Sequence, residues 1–301
     1  MALVLYLATS ALLLAAARLA RFTVSRREAL FLIALPALLT GRAMLTGRLV
    51  APVDFPYLWE PFAGYRAELG VTSIETLRWS DVASQLVPWR EAVRDALTRG
   101  EWPLLNRYEL SGSPLAASAQ SAAFHPFTLI ASLVPAVESF NFTASIALFV
   151  AAFGAFVFSR ELGLSPLASS FAAGGWMLSS PLAFFALWPI GAAWAHLPLL
   201  LAATRRIVRD PGRRTVFTLA VILSLVILSG HPETLLHLVG IGVAYGIFEV
   251  VRSEQRVRSL MAAVAAGVLA LMLGAIYLLP LVEALPQTHE HWIREALYAK
   301  T

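Results

Sequence analysis

Residues 80–126, SDVASQLVPWREAVRDALTRGEWPLLNRYELSGSPLAASAQSAAFHP, form the polar stretch around which the rest of this chain is organised. Apolar side chains recur in its first half at spacings of three and four residues: Val82, Leu86, Trp89, Val93 and Leu97. This period predicts an amphipathic helix that lies along a membrane surface, with Ser80 or Asp81 at its N-cap and Gly100 at its end. Pro88 is expected to bend it.

The composition of the whole chain indicates an integral membrane protein. Of its 301 residues, 58% are hydrophobic and 14% are charged, and the mean hydropathy of +0.70 lies well above that of soluble domains. The absence of cysteine excludes disulfides, thiolate metal sites and thiol nucleophiles. Basic residues are nearly all arginine and stand in short segments between apolar runs, a pattern of membrane topology rather than of nucleic-acid binding.

Eight apolar runs could each cross a membrane, the fifth and sixth being short. They cover residues 2–19, 29–45, 140–158, 167–187, 190–203, 216–229, 235–251 and 260–282. The first run lacks the charged start of a cleaved signal peptide, so we interpret it as a transmembrane helix. A further apolar piece, residues 127–134, is too short to span and is assigned to the membrane interface.

Arginine-rich connections follow the odd-numbered runs, which predicts the orientation of the chain. Because positive segments stay in the cytoplasm, both termini and the loop of residues 47–139 are expected on the extracytoplasmic side. Between Arg48 and Glu138 the loop carries seven arginines against ten acidic residues, which agrees with that side. We therefore predict one transmembrane domain, 1–301. It comprises two helices in 1–46, the loop 47–139 with interfacial helices, six helices in 140–283 and an extracytoplasmic tail, 284–301.

Four ordered motifs in the loop and one later turn carry a family likeness. They are DVASQLVP at 81–88, RGEWPLLN at 99–106, SGSPL at 111–115, QSAAFHP at 120–126 and GHPET at 230–234. In this order they resemble the YfhO-type bacterial membrane proteins. Glu233 departs from the glutamine that is usual in that family, and relatives continue beyond an eighth run, so the chain is expected to be a fragment or a short member.

The resemblance implies a fold and an activity. YfhO-type proteins are similar to the C-type (GT-C) membrane glycosyltransferases, so the fold expected is an all-α polytopic bundle of about eight transmembrane helices. Its long first extracytoplasmic loop carries the interfacial helices and a catalytic aspartate. The implied reaction moves a sugar from a polyprenyl-phosphate-linked donor to an extracytoplasmic glycan or lipid. The transfer is expected to invert the anomeric centre and to take place in the bacterial plasma membrane, at its extracytoplasmic face.

Three acidic residues are candidates for the general base that would deprotonate the acceptor hydroxyl. Asp81 is the first candidate, because it starts the interfacial helix at the depth of a lipid-linked donor; its alternative role is a plain N-cap. Asp54 and Glu60 lie soon after the second run, where other C-type enzymes often carry the acid. Either could equally be a solvated loop charge.

Substrate contacts are predicted at polar residues of the loop and of later turns: Gln85, Arg107, Gln120, His196, His231 and Glu233. Arginine matches a phosphate bidentately, and the His231–Glu233 turn could bind a phosphate, a sugar hydroxyl or a divalent metal, or could be an ordinary turn between helices. His196 lies inside a span, where an ionisable residue suggests function. We expect Arg90 to contact lipid headgroups and give His125 little weight. No cofactor or metal ligand set is assigned.

A second class of function stays open. A non-catalytic transporter or flippase-like component, or an assembly component, would share the interfacial helix and the lipid-linked sugar, but a transporter should carry acids along a path through its spans. The span interiors are mostly alanine, leucine, valine and glycine. The chain also lacks phosphate-binding glycine loops and nucleophile motifs. These observations favour an enzyme that works at one membrane face.

Overall fold

The computed structural model describes residues 1–74, 79–288 and 292–293, and these are mostly helical. The α-helices in chain order are α1 Ala2–Leu19, α2 Arg26–Ala34, α3 Ala37–Thr46, α4 Val87–Thr98, α5 Pro126–Ala131, α6 Ala136–Glu161, α7 Pro166–Met177, α8 Ser180–Phe184, α9 Pro189–Ala195, α10 Leu197–Arg209, α11 Arg213–Leu228, α12 Pro232–Val251 and α13 Arg256–Ala284. Short 3-10 helices cover Phe55–Leu58, Phe62–Tyr65 and Leu285–Gln287. A π-helical turn covers Val82–Leu86, and strands β1 (Leu105–Asn106) and β2 (Ser113–Pro114) pair antiparallel.

In the part of the chain that the structure describes, four helices are long and apolar enough to cross a membrane: α1, α6, α12, and α13 together with the short helix after it. A fifth span exists if α2 and α3 count as one segment bent by 71°. The run 167–187 is broken between α7 and α8, the run 190–203 is broken at His196, and α11 has only 16 residues. Prolines stand in the first turn of α8, α9 and α10, where their missing N–H is tolerated. The helical class and potential spans are confirmed, whereas eight crossings remain a prediction.

Helix α6 is the centre of the bundle. In its most apolar 18-residue window 89% is buried, and α1, α5, α7, α9 and α10 pack around it. Gly154 permits the approach of α10, because a Cβ atom there would stand 3.0 Å from the backbone nitrogen of Leu199. In contrast, 17% of the corresponding window of α12 is buried and 22% of that of α13. Their apolar side chains therefore face outward, as expected for helices in contact with lipid.

One end of the bundle collects the arginine-rich connections, and we call it the arginine end. Arg206 donates hydrogen bonds to the carbonyl oxygens of Ala20 (2.7 Å) and Arg21 (2.9 Å) and pairs with Glu161 at 2.6 Å. Arg205 pairs with Glu249 at the end of α12. The connections after the first, third, fifth and seventh runs thus meet at one end, as the arginine pattern predicts.

Residues 48–74 and 79–135 cover the opposite end, which we call the loop end. Asn141, near the start of α6, fixes the loop there: its amide donates to the Arg48 carbonyl at 2.7 Å and its side-chain oxygen accepts from Val50 N–H at 3.0 Å. The short helix α5 is buried against α1 and α6. It does not span, as predicted, but it lies inside the bundle rather than on its surface because Phe127 and Ala131 join the main apolar cluster.

The amphipathic helix of the loop is present, with differences at its start. Val82, Leu86 and Val93 are buried as the pattern predicts, and Gly100 ends the helix with φ +73°. The expected cap is absent, since the Asp81 side chain accepts no capping hydrogen bond. The bend expected at Pro88 takes the form of the π-helical turn before it: Pro88 has no N–H to donate to a preceding carbonyl, so the chain changes helix type there.

Candidate functional site

The candidate bases lie on the surface of the loop end. Asp81 is exposed, and within the described residues its side chain forms neither an ion pair nor a hydrogen bond. Gln85, one turn later, is also exposed. Asp54 precedes the 3-10 helix Phe55–Leu58, which packs against the π-helical turn, so the Asp54 and Asp81 segments are neighbours. Glu60 is exposed after that helix.

Arg107 is engaged away from these acids. Its guanidinium pairs with Glu101 at 2.8 Å, and 55% of its side chain is exposed. Nearby, Asp95 accepts a hydrogen bond from the Tyr108 hydroxyl and pairs with Arg99, and these two contacts lower the pKa of Asp95. This surface network joins the end of α4 to the β1–β2 hairpin.

His231 acts as the N-cap of α12. Its Nδ1 accepts a hydrogen bond from Thr234 N–H at 3.2 Å, and burial lowers the pKa of the ring. Glu233 is exposed in the first helical turn, where the helix dipole favours a carboxylate. Across the described residues, no group of three or more His, Asp and Glu side chains could hold a metal ion. His231 and Glu233 thus both have structural roles at the start of α12.

A small cavity lined by both polar and apolar residues lies beneath the loop helix, and we call it the chamber. Its volume is about 40 Å³. Its polar lining consists of Arg90, His125, Thr128, Thr143, His196 and Ser229, with Trp188 among the apolar residues. Since roughly 10–15 Å³ of such volume holds one water molecule, the chamber has room for a group of a few heavy atoms and is too small for a sugar ring.

Arg90 brings a positive charge to the chamber. Its guanidinium donates to Ser139 Oγ at 3.1 Å and to Thr143 Oγ1 at 3.4 Å, and it lies 4.7 Å from the ring centre of Phe140. It forms no ion pair with any described carboxylate. Burial lowers the pKa of Arg90 to about 10, so the group stays charged at neutral pH. A half-buried cation without a counter-charge among the described residues is costly, and an anionic ligand would offset that cost.

His125 adds a hydrogen-bond donor. Its side chain is 3% exposed, and its Nδ1 accepts from the backbone N–H of Phe127 at 3.2 Å. Burial, together with the neighbouring His196 and Arg90, lowers the pKa of His125 to about 3, so the ring is neutral at physiological pH. With Nδ1 accepting, the proton sits on Nε2. That Nε2–H has no partner among the described residues.

His196 adds a hydrogen-bond acceptor. Its side chain is 1% exposed, and its Nδ1 lies 2.7 Å from the carbonyl oxygen of Ala192. A carbonyl only accepts, so Nδ1 carries the proton and Nε2 of the neutral ring presents a lone pair. This Nε2 also lacks a described partner. The two imidazole rings are 6.0 Å apart, centre to centre, and do not bond each other.

The chamber adjoins a larger apolar groove. This groove, of about 570 Å³, runs between α1, α6, α10 and α11, and it shares Phe127 and His196 with the chamber. Arg213 and Arg214 line it at the arginine end. A polar chamber that continues into an apolar groove suits an amphiphile with a small charged head.

The residues that line the chamber differ from most of the substrate contacts predicted from the sequence. Of the predicted contacts only His196 lines it, and Gln120 lies in the segment that packs against Gly230. Asp81, Arg107 and Glu233 lie outside it. Arg90, expected at lipid headgroups, and His125, given little weight, both line it. A usable signal existed for Arg90, because it follows Leu86 by four residues and precedes Val93 by three, which places it on the buried face of the helix.

Comparisons with known proteins add no further constraint. No family model matches the chain, and neither the curated proteins nor the solved structures contain a match. The YfhO-type resemblance therefore rests on the five motifs quoted above and stays a prediction.

Proposed function

We propose that this chain is a membrane glycosyltransferase of the GT-C type that uses a polyprenyl-phosphate-linked sugar and acts at the loop end of its bundle. The observation that carries the proposal is the chamber. Among the described residues, its charged arginine has no carboxylate partner and its two buried histidines have no partner at Nε2, and an apolar groove lies alongside. A phosphate linked to a long apolar chain satisfies all three features.

The orientation follows from charge. The arginine end faces the cytoplasm under the positive-inside rule, which leaves the loop end on the extracytoplasmic side of a bacterial plasma membrane. An acceptor there would be a cell-envelope glycan or lipid. The eight-span GT-C arrangement belongs to this proposal.

Asp81 serves as the general base in this proposal. It stands nine residues before Arg90, and in a regular α-helix that separation puts two side chains on opposite faces, since each residue turns by about 100°. The π-helical turn between them inserts roughly one residue and reduces the angle to about 80°. The acid and the arginine are then about 12 Å apart along the axis, a span that leaves room for the sugar between them.

The chemistry requires little more than position and one proton acceptor. The acceptor hydroxyl attacks the anomeric carbon while its proton passes to the Asp81 carboxylate. The bond between that carbon and the phosphate oxygen breaks, and its electron pair leaves with the prenyl phosphate. Arg90 stabilises the negative charge that develops on the phosphate. Attack from the face opposite the phosphate inverts the anomeric centre.

A transfer assay on the full chain in liposomes tests this proposal, with radiolabelled polyprenyl-phosphate sugars as donors. We expect Asp81→Asn to lower transfer about 100-fold or more, since general-base catalysis contributes that much. Glu91→Gln is the matched control, because Glu91 is an exposed acid near the same helix whose only described ion pair is with Arg94. Equal activity in wild type and Asp81→Asn would reject the assigned base.

A carrier of lipid-linked sugars is the second candidate, and one observation favours it. The apolar groove reaches from the chamber to Arg213 and Arg214 at the arginine end, so it offers a lipid chain contact over much of the bundle's height. A carrier predicts movement of a labelled lipid across liposomes without any change in its sugar. Sugar transfer to an acceptor, lost in Asp81→Asn, distinguishes the enzyme.

A further inference from the structure

The hydrogen-bonding groups of the chamber specify the protonation state of what binds there. Arg90 and His125 Nε2–H are donors, whereas His196 Nε2 is an acceptor whose ring orientation is fixed by Ala192. A matching ligand therefore needs negative charge, at least two acceptor oxygens and one O–H. The two histidine nitrogens are buried and unpartnered within the described chain, so both point to a ligand.

Few anions meet these requirements. An ionised carboxylate has no O–H, and a protonated one has no charge. A phosphate diester, the form of a polyprenyl-phosphate sugar, keeps its charge but carries no proton. A phosphate monoester has a second pKa near about 6 and, when singly protonated, offers charge, acceptors and one O–H together.

We infer that the chamber binds a phosphate monoester in its singly protonated form, with the phosphate O–H donating to His196 Nε2 and the remaining oxygens accepting from His125 and Arg90. This inference rests on the proposed function in one respect: the monoester is then the leaving group of the transfer rather than the intact donor. The chamber thus favours product, and the groove beside Phe127 and His196 holds its apolar chain.

The inference predicts that protons are taken up from the buffer when the ligand binds, and this uptake can be measured. A monoester at pH 7.5 is mostly the dianion, so binding in the protonated form takes up close to one proton per ligand from the buffer. Arg90 and His125 do not contribute to this proton uptake, because Arg90 is already protonated and His125 stays neutral at this pH. The lining from α6, α9 and α11, namely Thr143, Ala192 and Ser229, does not titrate, and His231 beyond Ser229 is occupied by Thr234.

Isothermal titration of the purified full chain tests this with two probes that share the farnesyl chain, farnesyl phosphate and farnesyl methyl phosphate, of which only the monoester can carry a phosphate O–H. Comparing pH 6 and pH 7.5, in buffers of different ionisation enthalpy, gives the proton uptake. We expect the monoester to bind at least tenfold more tightly than the diester at pH 6, with uptake near one proton at pH 7.5. Inorganic phosphate should bind more weakly than farnesyl phosphate if the groove contributes.

His196→Asn removes the free Nε2 but keeps an amide that can donate to Ala192. We expect it to weaken monoester binding about tenfold at pH 6 and to abolish proton uptake, with diester affinity unchanged. His231→Asn is the control, because asparagine retains the N-cap. Equal binding of both esters without proton uptake in the wild type, or no binding of either, overturns the inference. Diester binding that depends on Arg90 would leave the proposed transferase intact, whereas loss of all phosphate binding would remove both.

Discussion

The two sides of the loop helix differ in what surrounds their charges. On the outer side Asp81 and Gln85 are exposed, and Asp81 has no described partner. On the inner side Arg90 lies against α6 and faces two buried histidines. A solvated charge costs the fold little, so its presence says little about function. A half-buried charge without a described counter-charge lowers stability, and its presence therefore indicates a ligand more strongly.

The largest expected difference between the two sides is in stability. Leu86, on the inner side, is buried beside Val82 and Phe140. Leu86→Ala should lower the free energy of unfolding by about 2–5 kcal/mol through loss of burial and a new cavity, whereas Asp81→Ala should change it by less than about 0.5 kcal/mol. Denaturation in mixed detergent micelles measures both. Similar losses for the two variants would remove the contrast.

The next effect separates binding from folding. Arg90→Met keeps apolar contact with Phe140 but removes the charge, and we expect the affinity for farnesyl phosphate to fall about 100-fold, equivalent to a loss of about 2–3 kcal/mol. The melting temperature should stay the same or rise, since an unpaired charge is removed. A lower melting temperature with unchanged affinity would make Arg90 a structural residue.

A smaller effect concerns pH. Burial keeps His125 neutral in the folded chain with a pKa of about 3, whereas in the unfolded chain the ring binds a proton below about pH 6.5. Stability is therefore complete above pH 6.5 and falls as the pH decreases, by about 2 kcal/mol at pH 5. Melting curves at pH 7.5 and pH 5 measure the loss. His125→Asn, which can still cap α5, should show a smaller loss; an equal one would assign the effect to other groups.

The smallest effect is expected on the outer surface. Arg107 pairs with Glu101 in an exposed position, and such pairs contribute about 0–1 kcal/mol. Arg107→Gln should change farnesyl phosphate affinity and transfer less than twofold. A loss as large as that of Arg90→Met would move the phosphate site from the chamber to the surface.

The spacing of apolar residues predicts much of the helical structure, but it does not predict which distant residues meet in the chamber. The apolar run 2–19 coincides with α1, and the spacing of Val82, Leu86 and Val93 gave the buried face of the loop helix. The fourth and fifth runs are broken because of the way short helices pack around α6. Local sequence patterns do not predict that packing. His125 and His196 are 71 residues apart, so only the packing of α5 against the bundle could bring their rings together.

The bonds at the arginine end also bear on how the chain is made. Arg206 donates to the Ala20 carbonyl across 186 residues of sequence. At roughly 5–20 residues per second, translation reaches Arg206 on the order of ten seconds or more after α1 has emerged. During that interval α1 lacks its contacts with the helices made later. Its position in the membrane must therefore be stabilised by contact between its apolar surface and lipid. The contact between the fifth connection and the end of α1 therefore forms late, when α11, α12 and α13 are still to be added.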